Sequence, residues 1–207
     1  MGFSMRCWKK FSFAAWLLVP LLLLAAAGQA LAEGIEVRNA ELIAVDEAWQ
    51  LNADFDIGFT AEQEEAISKG VALNFLIEFE LMEPRSYWFD QEVVSASQRV
   101  RLSYHALSRQ YLLNIGPHQK SFASFQEARE ELGKLRGWPL LEKSQIKKGE
   151  PYYALLRMRL DQSRLPKALQ VDALSPEKWK LVSERYRWSP ALFGVSTSSD
   201  SAMQPAR

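Results

Sequence analysis

Tyr87-Trp88-Phe89-Asp90 is the stretch whose residue types point most directly at binding: three large rings and a carboxylate in a connection that begins with Pro84. Aromatic rings and arginine supply most of the anchoring energy at protein interfaces, so the predicted interaction set is Tyr87, Trp88, Phe89 and Asp90 with Arg109. A competing reading folds the three rings over an open end of the core. Arg99 and Arg101 with Arg157 and Arg159 form a second candidate, an anion-binding face. The structural alternative has Glu78 and Glu80 opposing Arg99 and Arg101 as ordinary cross-strand ion pairs. Glu62, Glu64 and Glu65 read as a solvated helix face, because the oxygen ligands spread around a central glycine that calcium requires are missing.

Catalytic patterns are not found in the sequence. It carries no G-x-S-x-G, no phosphate-cradling glycine loop and no H-E-x-x-H. His105 and His118 are the only histidines. His105 shares a strand face with Arg101 and Ser103, where a neutral, hydrogen-bonding imidazole is expected, and two histidines without cysteines give no zinc spacing. No cofactor is predicted. A non-catalytic binding or interaction protein is therefore expected, with a small-ligand binder and a hydrolase of unrecognised type as the alternatives.

The N-terminus sets the predicted compartment. Arg6, Lys9 and Lys10 form a positive region, Ala14–Ala27 an apolar one, and Ala30-Leu31-Ala32 a small-residue cleavage signal. Cleavage after Ala32 predicts an exported, periplasmic protein with no membrane span once the signal is removed; the alternative is an uncleaved inner-membrane anchor. Pro20 and the shortness of the apolar run favour cleavage. The whole chain has 25 basic and 25 acidic residues. The segment from Met1 to Ala32 holds three of the basic ones, so the remainder is mildly acidic and nucleic acid is not expected as a partner. Cys7, the sole cysteine, lies within that segment.

Alternating apolar residues then predict a β-rich domain over 33–193 and a disordered tail from Gly194 to Arg207. Strands are expected over Glu33–Asp46, Trp49–Ile57, Val71–Met82, a hairpin at Arg99–Ile115, Tyr152–Leu160 and Trp179–Trp188. Residue numbers summing to 179 would pair Val71–Met82 with the first hairpin strand, setting Phe79 against Val100 and Glu78 against Arg101. A sum of 215 would set Tyr104 against Tyr111 across a four-residue turn, Ala106–Arg109. Two short helices are marked by capping boxes, Thr60–Lys69 with Gln63, and Ser124–Leu135 with Glu127 and stop signals at Gly137 and Pro139. The predicted fold is mainly β: one antiparallel β-sandwich with immunoglobulin-like layering and these two helices at its margins. An α+β single sheet is the alternative. Phe55, Phe75, Ile77, Phe79, Leu102, Tyr104, Tyr111, Leu113 and Leu156 are the expected core.

Tyr87-Trp88-Phe89-Asp90, Leu102-Ser103-Tyr104-His105 through Gln110-Tyr111, and Arg159-Leu160-Asp161 with Leu165-Pro166 resemble a proteobacterial family known as domain of unknown function 4390. The resemblance covers nearly all of Ile35–Pro190. It implies an exported protein of Gram-negative bacteria with no established activity, whose gene often lies beside a membrane sensor kinase. The periplasmic region of such a kinase is the envelope partner it implies, and it assigns no functional residues.

Overall fold

The computed structural model describes residues 34–170 and 179–192. The predicted export segment Met1–Ala32 and the predicted tail Gly194–Arg207 lie outside the described residues. The elements are β1 (Gly34–Val45), β2 (Ala48–Gly58), α1 (Ala61–Ser68), β3 (Leu73–Glu83), β4 (Gln91–His105), β5 (Gln110–Ile115) and β6 (His118–Phe122). They continue with α2 (Phe125–Leu132), β7 (Lys134–Glu142), β8 (Tyr153–Leu160) and β9 (Tyr186–Trp188), with one further helical turn at Lys167–Gln170.

Two sheets carry the chain, one in the order β1-β2-β7 and one in the order β6-β5-β4-β3-β8-β9, and every pairing is antiparallel. Period-two burial explains the layering. Along β3, Leu73, Phe75, Ile77, Phe79 and Leu81 are buried, and along β2, Trp49, Leu51, Ala53, Phe55 and Ile57 are buried. Both rows belong to one apolar cluster, so the protein is a mainly β sandwich, as predicted. Among the described residues the buried core runs from Ile35 to Leu181, within the compact unit Glu33–Arg207. Tyr104 and Tyr111 are half-buried members of its margin, their ring centroids 4.9 Å apart, with Phe125 of α2 packed 5.7 Å from Tyr111.

Both helix starts follow from their caps. Thr60 Oγ1 accepts from the Gln63 N–H at 3.2 Å, and Gln63 Oε1 accepts from the Thr60 N–H at 3.1 Å. Ser124 Oγ accepts from the Glu127 N–H at 3.2 Å, while the Glu127 carboxylate reaches one residue further back, to the Ala123 N–H.

Three expectations change. The predicted register of β3 with β4 is wrong by four residues: Phe75 faces Val100 and Phe79 faces Ala96. An even slide keeps each side chain on its face, so the burial prediction survives while the ion-pair prediction does not. The slide extends β4 back to Gln91, and the additional strand pairs outweigh the weakly apolar run Val94, Ala96, Gln98 that hid this part of the strand. The predicted pairing of Tyr104 with Tyr111 and of Leu102 with Leu113 is observed.

The second helix stops at Leu132, not Leu135, and Lys134–Glu142 is strand β7. Gly133 is the elbow. Its carbonyl accepts from the Phe55 N–H at 2.8 Å, and a Cβ there would lie 2.5 Å from the Phe55 oxygen, so β2 captures the chain where the helix leaves it. Gly137 and Pro139, which look like stop signals, sit in a strand at the sheet edge beside two register shifts. Edge strands and bulges tolerate both residues, and Gly137 has the positive φ of 63° that such a shift favours. The third change is the last strand, which within Trp179–Trp188 is reduced to Tyr186–Trp188 and a single bridge from Val182 to Arg159.

Candidate interaction surface

Residues 84–90 connect β3 to β4 at one end of the larger sheet. The rings at their centre do not fold over the core: Tyr87, Trp88 and Phe89 are 93%, 81% and 96% exposed. Beneath them the loop base is held. Asp90 Oδ1 accepts from the Arg85 N–H at 3.2 Å, Asp90 Oδ2 accepts from the Tyr153 hydroxyl at 2.5 Å, and the Arg85 guanidinium donates to the Gln91 side chain. The Arg187 guanidinium lies 3.7 Å from the centre of the Tyr153 ring. The hydrogen bond from Tyr153 and then the Arg85 N–H hold the Asp90 carboxyl below the usual carboxylate range, and the same contact with Asp90 pushes the Tyr153 hydroxyl up. The result is a braced base carrying three rings in water.

Arg109 is not part of this arrangement. It lies in the turn after His105, at the other end of β4, with a φ of 53°. The fifteen residues of β4, fourteen steps at about 3.3 Å each, separate its two ends by roughly 45 Å. The predicted set grouped Arg109 with the rings by residue type, and the strand running between them carries the two loops apart.

The larger sheet's outer face holds the arginines. Arg99 and Arg101 project from β4 and Arg157 and Arg159 from β8, at positions between the buried residues of each strand, and Arg187 projects from β9 between the half-buried Tyr186 and Trp188. Arg185 approaches Glu80 at 3.8 Å. Glu78 does not pair with Arg101, since its cross-strand neighbours are Ser97 and Arg157. Arg157 donates to Glu78 Oε2 from Nε at 2.9 Å and Nη2 at 2.6 Å, and Arg159 donates to Oε1 from Nε at 3.2 Å and Nη2 at 3.1 Å. Burial pushes the Glu78 carboxyl up, but hydrogen bonds from Arg159 and Arg157 outweigh it and hold it below the usual range. Among the described residues Arg99 and Arg101 have no ion pair, and both are exposed.

His105 closes its own turn, with Nδ1 2.9 Å from the Ser108 hydroxyl and accepting from the Ser108 N–H at 3.3 Å. His118 pairs with Ile115 at the opposite end of β5, so the two imidazoles do not converge. Among the described residues no group of three His, Cys, Asp or Glu side chains could hold a metal ion, and no helix is long and apolar enough to cross a membrane. An open cleft of about 540 Å³ lies between β7 and the β5–β6 hairpin, lined in part by Gln98, Lys134 and Trp138. The exposed rings do not contribute to it.

A family model described as Domain of unknown function (DUF4390) matches residues 32–189. The chain belongs to this family. No curated protein and no solved structure matches it. The match spans both sheets, the ring-bearing loop and the strands that brace it. Arg85 within the loop, and Tyr153 and Arg187 beyond it, are members of this surface that sequence patterning did not single out; the last two lie far from the loop in sequence. Finding them requires knowing that β8 pairs with β3 across some seventy intervening residues and that β9 pairs with β8.

Proposed function

We propose that this member of the family is an exported, non-catalytic binding module of the periplasm that docks on an envelope component through Tyr87, Trp88 and Phe89. One observation carries the reading: three consecutive large rings stand in water on a loop whose base is fixed by Asp90, Tyr153 and Arg85. Leaving so much apolar area exposed opposes solubility, and a contiguous apolar projection of this kind marks an interaction site. Bracing the base lowers the entropy lost when the rings are immobilised. The accessory role beside a membrane sensor kinase that the family resemblance implies supports this reading of a module at the envelope surface.

The test is chemical crosslinking in cells followed by recovery of the protein, with the parent chain and its Trp88→Ala variant side by side. The reading expects an adduct that is lost in the variant. The same adducts from both chains would remove the loop from the account.

A further inference from the structure

We propose that the ring-bearing loop and the outer face of the larger sheet form one continuous surface for an anionic phospholipid bilayer. This rests on the loop being the docking site and names what it docks on. Charge is the first reason. Among the described residues, over the rows from Leu76 to Glu80, Arg99, Arg157, Arg159, Arg185 and Arg187 face Glu78 and Glu80, a surplus of three positive charges, while Arg101 shares the next row with Asp161 and Glu92 stands across from Met82 at the loop end. The guanidinium fork matches phosphate oxygens, whether one or two are offered, and among the described residues Arg99 and Arg101 have no ion pair that would compete.

Continuity is the second reason. Tyr153 lies on the same face as Arg157 and Arg159, and its hydroxyl holds Asp90 while Arg187 covers its ring. The loop base is therefore fastened to the arginine-bearing side of the sheet. Ring chemistry is the third. Tyrosine and tryptophan collect at membrane interfaces, where an apolar body and a polar tip are both satisfied, and Phe89 beside them is apolar throughout. Glu83 and Glu92 flank the loop and Arg85 opposes them. Attraction is thus concentrated over the arginine rows, and adsorption needs the rings as well.

The experiment uses the chain from Glu33 to Arg207, which forms a compact unit by itself and carries the buried core of the described residues, and vesicles of phosphatidylcholine with or without phosphatidylglycerol. Co-sedimentation is expected on the anionic vesicles, weakening as salt is raised. An arginine near an anionic surface is worth about a factor of five in partition, so Arg99→Gln/Arg101→Gln is expected to weaken it about thirtyfold. Two rings each half-withdrawn from water contribute about tenfold apiece, so Trp88→Ala/Phe89→Ala is expected to weaken it about a hundredfold. All four side chains are exposed and outside the core, so each variant is expected to fold, with circular dichroism as the check. No partition of the parent chain, or partition indifferent to both double variants, overturns the lipid assignment. If the vesicles stay bare while cells yield a ring-dependent protein adduct, the docking reading stands with a protein as occupant. If both fail, both are removed.

Discussion

Replacing Glu78 by Gln should destabilise the domain by about 2 kcal/mol, because the carboxylate is the single anion between two arginines. Exposed ion pairs contribute roughly 0.2–1 kcal/mol, and removing one partner of a buried pair costs about 3–5 kcal/mol. The Glu78 side chain is 24% exposed and those of Arg157 and Arg159 are 31% and 36% exposed. Water can therefore reach the arginines after the change, which places the expected cost between the two limits. For a domain of this size that is a loss of about 4–8 °C in Tm. The partners are resolved by double-mutant cycles in urea: about 1 kcal/mol of coupling is expected between Glu78→Gln and Arg157→Gln, and almost none between Glu78→Gln and Arg101→Gln. The pH dependence has a definite sign. A carboxyl whose folded value lies below its ordinary 4.5 contributes its full stability above that value, and loses it as pH falls through the depressed one. The difference between parent and Glu78→Gln should therefore shrink below about pH 4.5. Coupling to Arg101 as large as that to Arg157, or a parent-to-variant difference that grows on acidification, would refute the reasoning.

Gly133→Ala should cost about 1–3 kcal/mol in the same urea titration, since its Cβ meets the Phe55 carbonyl at 2.5 Å and neither backbone can give way without loosening the join of α2 to β2. Thr60→Ala should cost about 1 kcal/mol by removing the Gln63 N–H acceptor, with the loss read from the thermal midpoint. Tyr153→Phe keeps the ring under Arg187 but deletes the hydroxyl that Asp90 accepts from, so limited proteolysis should cut residues 84–90 faster while the Tm moves little.

Period-two alternation made much of this fold legible. Val71–Met82 announces β3 because every second residue is large and apolar, and the pairing of Tyr104 with Tyr111 follows from two such runs meeting across Ala106–Arg109. Alternation reports a face, and it is blind to an even slide along that face. That is why the burial of Phe75, Ile77 and Phe79 could be read while the partners of Glu78 could not. β7 was hidden for another reason: Gly137 and Pro139 are punctuation in most contexts, and only an edge position with register shifts makes them strand residues. At the candidate surface, the ring types of residues 87–89 were visible in the sequence. Their exposure, their brace from Tyr153 and the distance to Arg109 depend on which strands pair, and local sequence does not encode that.

The most direct measurement is site-specific photo-crosslinking in cells, with a photoreactive amino acid placed once at position 88 and once at position 107. Leu107 is 94% exposed, as open as the rings, but it lies in the turn at the other end of β4, so it controls for exposure alone. A docking surface built on residues 87–89 predicts a discrete protein or lipid adduct from position 88 and none from position 107. No adduct from position 88, or equal adducts from both positions, would contradict it.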